Sequence, residues 1–360
     1  MIRRKTSEKK PKIIIAMSYH NNLFDSIRAL MTYAQVRVVS PRPIAHQIYL
    51  LGGIDIISGI EGFRGLLRHV SPTTDYVLIK HLHRPRNITP YLVGLIRGAR
   101  IIIMVQRTPT LPRLLHAAIM RLFATFLRVT RARVFSVTEE GWKSIGHYFP
   151  EAQYIPACID ASRFTASQKS GSSQTLRLIC IAKYQQRKNL FYLINAFNAL
   201  VQHYPGLTFH LTIVGGVVEQ AEYDHTKTLV ESFKLEKQIT LTRNVAAREI
   251  PQYLTRADVF ILPASQEQLG YSVLEAMASG LPVLVSSDTG ATSYVEHNRN
   301  GYVFAPRSEE EIVNAVASLI SSPTTIDWDR IRSLGKHSLT LVRKNHSPDV
   351  FLSRFKSLLS

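Results

Sequence analysis

At 360 residues, with 45% hydrophobic and 19% charged side chains, the chain has a globular composition and the length of two α/β domains. Cys158 and Cys180 are too few cysteines for a disulfide framework and point to a reducing compartment. No segment approaches the ~20 apolar residues of a spanning helix, and the basic start is followed by an apolar run, Ile13–Met17, too short for a signal peptide. A secreted or integral protein is therefore not expected.

The net charge of +18 is unevenly placed. Residues 1–170 hold 25 Lys/Arg against 9 Asp/Glu, a net +16, whereas residues 171–360 hold 19 against 17, a net +2. Between Asp75 and Glu139 lie eleven Lys/Arg and no acid. Such asymmetry points to an anionic partner for the N-terminal half.

In chain order, Lys12–Met17 reads as a buried strand, followed by a helix near Asn22–Ala34 and a strand near Val36–Val39. Tyr76–Ile79, Arg100–Val105 and Val134–Val137 are further strands, and Thr138 opens a capped helix. This alternation predicts a doubly wound parallel sheet. The Ser-rich stretch 166–175 reads as a linker between a domain over 1–165 and a second over 176–345, whose elements begin at Leu176–Ala182. A final helix, roughly Asp349–Leu359, has an apolar face at Val350, Phe351, Phe355, Leu358 and Leu359.

The spacing also predicts a helix over Leu111–Arg131. At 100° per residue, Arg113, Arg121, Arg128 and Arg131 fall within about an 80° arc. Leu115, Ala118, Ile119, Leu122 and Phe126 face the other way. One reading is a helix whose apolar side meets the core and whose basic side is solvated. The other is a helix lying on an anionic membrane surface.

The densest signal lies between Pro263 and Val285. Ala257–Leu262 is an apolar strand candidate, the stretch after Gly270 is helical, and Gly280 with Pro282 ends it before a second buried strand. Glu267 thus sits in the loop at a strand's carboxyl end, and Glu275 about one turn into the next helix. In parallel sheets ligands bind at that edge, and a helix N-terminus offers its amides to an anion. The pattern suits a sugar joined to a phosphate.

Pro263-x3-Glu267-x2-Gly270-x4-Glu275-Ala-Met-Ala-x-Gly280-x-Pro282-Val resembles the Glu-x7-Glu signature of the retaining glycosyltransferases of family 4. Tyr154-Ile-Pro-Ala-Cys-Ile-Asp160 resembles that family's hinge segment, Lys183-x4-Lys188 its Gly-Arg-x4-Lys-Gly loop, and Leu211-Thr-Ile-Val-Gly215-Gly216 the next strand and turn. The resemblance runs motif by motif over residues 154–305 and only in architecture over 1–150. It implies the GT-B fold: an N-terminal acceptor-binding Rossmann-like domain and a C-terminal nucleotide-sugar-binding one, facing a central cleft. A helix over 346–360 would cross back to the first domain.

By the same resemblance, Glu267, Lys183 and Lys188 would serve the chemistry, Glu267 touching the transferred sugar and the lysines countering charge on the leaving diphosphate. Glu275 would hold the ribose, with Gln268, Leu269, Gly270, Tyr271, Gly215 and Asn244 completing the donor site. Many members place a histidine after the strand that ends here at Val105. This chain has Gln106-Arg107, and His81 or His83 could substitute. A cationic loop makes a metal unnecessary, so neither metal nor other cofactor is expected, and Asp327-Trp-Asp329 reads as surface. The resemblance implies a retaining transfer from a nucleotide sugar to a lipid-linked or cell-envelope glycan. The site would be cytoplasmic, held peripherally at the inner membrane face with Arg113, Arg121, Arg128 and Arg131 toward acceptor or lipid. The alternatives are an inactive GT-B scaffold and a nucleic-acid-binding protein. The latter lacks aromatic residues interleaved with its bases, and no nucleic-acid partner is expected.

Overall fold

The computed structural model describes residues 10–16, 23–40, 53–60, 62–80, 88–106, 113–165 and 174–360, with backbone alone at 113–116. By internal contacts it divides into two compact units, Met1–Cys158 with Pro348–Ser360 and Ile159–Ser347.

The first unit runs β1 (Lys12–Ala16), α1 (Phe24–Tyr33), β2 (Gln35–Ser40), β3 (Asp55–Ser58), α2 (Gly62–His69) and β4 (Tyr76–Lys80). It continues through α3 (Ile88–Ile96), β5 (Arg100–Val105), α4 (Arg113–Val129), β6 (Arg133–Ser136), α5 (Glu139–Gly146) and β7 (Gln153–Tyr154). The strands form one parallel sheet in the order β3-β2-β1-β4-β5-β6-β7. Ile13–Ile15, Val77–Ile79 and Ile101–Val105 are buried throughout, as in a parallel sheet covered on both faces. The Thr138 hydroxyl accepts from the Gly141 N–H at 3.1 Å, the cap expected at the start of α5.

The second unit runs β8 (Thr175–Ile181), α6 (Leu190–His203), β9 (Thr208–Gly215), α7 (Gln220–Ser232), β10 (Ile239–Arg243), α8 (Ile250–Thr255) and β11 (Val259–Leu262). Then come α9 (Tyr271–Ala278), β12 (Val283–Ser286), β13 (Gly301–Phe304), α10 (Glu309–Ala317) and α11 (Trp328–Asn345). Its six-stranded sheet is ordered β10-β9-β8-β11-β12-β13, the doubly wound order.

The last helix, α12 (Pro348–Leu359), belongs to the first unit and packs beside α1. Phe355 meets Phe135 edge-on at 6.0 Å, and Arg133 donates to the Leu358 carbonyl at 2.6 Å. Phe351, Phe355, Leu358 and Leu359 are buried as expected, while Val350 is half-buried. The division between units falls at Cys158/Ile159, earlier than the expected 165/166. The Ile159 N–H donates to the His346 carbonyl at 2.8 Å, tying residues 159–165 to the second unit. Residues 166–173 of the expected linker lie outside the described residues, and Thr175 already begins β8.

Helix α4 corrects one expectation. Its core-facing residues are Met120, Ala124 and Leu127, whereas Ile119, Leu122 and Phe126 are exposed and Ala118 is solvent-facing. The sequence holds two apolar stripes on this helix, and the sheet takes the one bearing the small Ala124, which allows close approach. Leu115, expected on the apolar side, has no described side chain.

Candidate active site

In the second sheet the winding reverses between β8 and β11, and the loops leaving those two strands stand together at the carboxyl edge. This is the topological switch point, where open α/β sheets bind ligands. After β8 the chain makes a 3-10 turn, Gln186–Lys188, that ends at Asn189 in the left-handed conformation (φ 54°) and enters α6. After β11 it runs through Pro263–Leu269 to Gly270, also left-handed (φ 54°), and enters α9.

Each loop is pinned to the other. The Asn189 side-chain amide donates to the Pro263 carbonyl and to the Ser265 hydroxyl, both at 2.8 Å. The Ser265 N–H returns a bond to the Arg187 carbonyl at 2.7 Å. Glu219 holds the Gln186 N–H at 3.0 Å. On the far side, the Gly290 N–H donates to the Glu267 carbonyl at 2.7 Å. A Cβ on Gly290 would lie 1.9 Å from the Gln268 carbonyl oxygen, so only glycine permits this approach. Side chains on loops braced this way are held in place before any ligand arrives.

The braced loops bring Glu267 and Lys188 into direct contact. Lys188 Nζ bonds the Glu267 carboxylate, and Arg187 donates to the same oxygen at 2.9 Å. The Lys188 side chain is only 8% exposed, and a lysine that deep requires a partner. Burial pushes the Glu267 carboxyl up, but Lys188 and Arg187 outweigh it and hold the group below the usual glutamate range. The result is a carboxylate locked in its ionised form beside two cations.

The other predicted residues lie on the ends of neighbouring strands and on the loop and helix that follow Glu267. Lys183 is exposed directly after β8, and a Cβ on Gly215 would come within 3.2 Å of its Cα. The same Cβ would collide with the Ala182 carbonyl at 1.8 Å, which explains the glycine. Asn244, left-handed at φ 55°, donates its N–H to the Gly215 carbonyl at 3.0 Å. Lys183, Gly215 and Asn244 thus line the ends of β8, β9 and β10. Gln268 is exposed, Leu269 and Gly270 are buried, and Tyr271 begins α9, whose first-turn amides face outward from the helix end. Glu275 is half-buried within α9.

Arg187 was not among the expected site residues, although it binds Glu267. Its signal was a third cation inside the Lys183–Lys188 loop. A cavity of about 520 Å³ opens on its α6 side, lined among others by Asn189, Phe191, His225 and Arg307. Its volume is within the usual range for small-ligand sites. His81 and His83 lie outside the described residues, as does Arg107. Gln106 is buried at the end of β5, its carbonyl accepting from the Thr138 hydroxyl at 2.9 Å. Asp327 caps α11 through the Arg330 N–H, and Asp329, 96% exposed, pairs with Arg332 at the surface. Among the described residues no group of three or more His, Cys, Asp or Glu could hold a metal ion. Cys158 and Cys180 are buried thiols, and burial pushes Cys180 up to about 12 against the pull of Lys188.

Of the four arginines expected to face acceptor or lipid, Arg121 is exposed on α4 and Arg131 is exposed just past its end. Arg113 begins the helix, with no described side chain. Arg128 is also exposed, but its guanidinium is engaged by neighbours within its own unit. It pairs with Glu151 at 3.2 Å, donates to the Tyr148 carbonyl at 3.1 Å and sits over the Phe149 ring.

The family model described as "glycosyl transferases group 1" matches residues 162–336, the span that contains every one of these loops. Over that span, just under half of the chain, the sequence is similar to the glycosyl transferases group 1 family. It is 30% identical over 199 residues to a GDP-mannose-dependent α-(1-6)-phosphatidylinositol monomannoside mannosyltransferase of Mycobacterium tuberculosis, covering 51% of this chain and 49% of that protein. It is also 30% identical over 169 residues to an amylovoran biosynthesis glycosyltransferase of Erwinia amylovora, covering 45% and 40%. The aligned region thus spans half or less of these curated relatives. Two solved structures match nearly the whole chain: a glycosyltransferase from Rickettsia africae (TM-score 0.79, 13% identity, covering 98% of this chain and 100% of that one) and Anabaena HepE in complex with UDP and glucose (TM-score 0.77, 14% identity, 97% and 99%). At that identity the likeness shows the fold, and the fold is GT-B.

Proposed function

We propose that this chain moves a sugar, with retention at the anomeric carbon, from a nucleotide diphosphate donor to a lipid-linked or cell-envelope glycan. The observation that carries the reading is the Glu267–Lys188–Arg187 cluster held at the switch point, beside the N-terminus of α9. The solved complex of HepE with UDP and glucose supports the donor class, and the two named relatives motivate the acceptor class.

In this reading the bond between the anomeric carbon and the diphosphate oxygen breaks while a bond to the acceptor hydroxyl forms on the same face. The acceptor proton passes to the departing phosphate oxygen. Charge grows on the diphosphate as it leaves, and fixed cations and amides meet that demand best. Lys188 can bridge Glu267 and a phosphate oxygen, since an ammonium carries three donors. Lys183 and the α9 amides add to it, so the proposed step runs without a metal. Glu267, kept ionised by its two cations, accepts hydrogen bonds from the sugar, and Glu275 accepts from the ribose.

The test separates the two carboxylates. Glu275→Ala should weaken binding of plain nucleoside diphosphate about 10- to 100-fold, the worth of a charged hydrogen bond. Glu267→Ala should leave that affinity near wild type and abolish sugar transfer. Titration calorimetry with UDP and GDP, and turnover of radiolabelled nucleotide sugars, read the two arms. Unchanged nucleotide affinity in Glu275→Ala refutes the ribose assignment. Binding without any transfer or donor hydrolysis by the wild type leaves an inactive scaffold.

A further inference from the structure

Eleven large apolar side chains are exposed among the described residues, and eight of them lie on three neighbouring helices of the first unit. Ile88, Leu92 and Ile96 repeat every fourth residue along α3, 44–64% exposed. Ile119, Leu122, Phe126 and Val129 form a matching stripe on α4, with Leu122 and Val129 each more than 70% exposed. Phe63 adds to them from α2. The helices sit side by side. The Tyr91 ring of α3 lies tilted against Phe126 of α4 at 5.2 Å and its hydroxyl bonds Thr130, while Arg97, just after α3, donates to the Leu67 carbonyl of α2 at 2.8 Å.

A solvated helix normally turns charged residues outward. Here the inward stripe is already filled by Leu66, Tyr91, Val93, Met120, Ala124 and Leu127, and the outward stripe is apolar as well. Contiguous exposed apolar surface of this kind marks an interaction site. Its rim is basic: Arg64 and Arg68 are exposed on α2 at one edge, Arg121 on the flank of α4 at the other. No acidic residue occurs anywhere from 76 to 138.

We propose that the outer surface of α2, α3 and α4 docks on an anionic lipid bilayer. The apolar stripes would enter the headgroup–acyl boundary while the rim arginines meet phosphate groups. The inference deepens the reading above by naming the surface that would meet the bilayer of a lipid-linked acceptor, and it rests on that acceptor class alone. Charge complementarity selects this occupant. A second copy would bring one basic rim against another. A single-stranded nucleic acid needs aromatic platforms for its bases, whereas these stripes are mostly aliphatic.

The experiment is co-sedimentation of the full chain with vesicles of phosphatidylglycerol or of phosphatidylcholine, without donor or acceptor, so that it is independent of catalysis. Wild type should bind phosphatidylglycerol vesicles at least tenfold more tightly than phosphatidylcholine ones. Leu122→Ser/Val129→Ser and, separately, Arg121→Glu should each lower that binding about tenfold, with unchanged circular dichroism and unchanged donor hydrolysis. If the double variant fails to fold, Leu92→Ser/Ile96→Ser tests the other stripe. Equal or no binding to the two vesicle types overturns the proposal, as does wild-type binding by both stripe variants. So does a wide preference for nucleic acid at matched salt, or a wild-type dimer that the stripe substitutions dissociate.

Discussion

Both sheets are parallel and wound in the same order from their first strand outward, yet they place positive charge differently. In the second unit, Arg187 and Lys188 stand at the carboxyl edge of the sheet, in contact with a half-buried carboxylate and braced from three loops. In the first, Arg64, Arg68 and Arg121 are exposed on helices whose outward stripes are apolar. Strand order alone therefore says nothing about use. On the reading proposed above, a cation paired and buried at a strand end serves the chemistry, and one on the rim of an apolar helix face serves a docking surface.

The comparison is broken most severely at Lys188. Lys188→Ala should cost on the order of 10²–10³ in turnover, as loss of a fixed donor to a developing anion does. Lys183→Ala should cost clearly less, because an exposed charge is screened by solvent and salt. Initial rates with saturating donor, on variants checked by circular dichroism, read the difference. Equal losses would mean that burial of Lys188 has no bearing on catalysis.

A smaller effect tests the bracing. Gly290→Ala drives a Cβ into the Gln268 carbonyl, and overpacking of this kind costs about 1–3 kcal/mol. The displaced atom belongs to the Glu267 loop, so activity should fall along with the melting temperature. Gly216→Ala is the control, since its nearest contact, the Asn244 side-chain oxygen at 3.7 Å, is ordinary packing. Matching behaviour of the two variants would show that the loop tolerates displacement.

The sequence announced the second unit far better than the first, for physical reasons. Short buried strands such as Val259–Leu262 and Val283–Ser286 are almost wholly apolar, and Gly215, Gly290 and Gly301 stand where a Cβ would meet a neighbouring backbone carbonyl. Glu267, Lys188 and Gly270 were legible because each stands at a strand end or helix start. Arg187 was not, because a cation in a polar loop has no pattern that distinguishes it from a solvated one. Helix α4 misled for the opposite reason. It is apolar over most of its circumference, and periodicity cannot tell which of two stripes the sheet will choose. The unit boundary at Ile159 was hidden likewise, since a single backbone bond to His346 leaves no compositional trace.

The smallest effect separates Arg128 from Arg121 within one helix. Sequence spacing groups them on one side, but Arg128 is spent on Glu151, the Tyr148 carbonyl and the Phe149 ring. Both members of its ion pair are about half exposed, with side-chain accessibilities of 45% and 59%, and such pairs are worth under about 1 kcal/mol. Arg128→Ala should therefore lower the melting temperature slightly and leave vesicle binding unchanged, whereas Arg121→Glu should do the reverse. Thermal denaturation and co-sedimentation on the same two preparations decide it. A loss of lipid binding in Arg128→Ala with an unaltered melting temperature would return Arg128 to the surface and erase the distinction between a structural cation and a docking one.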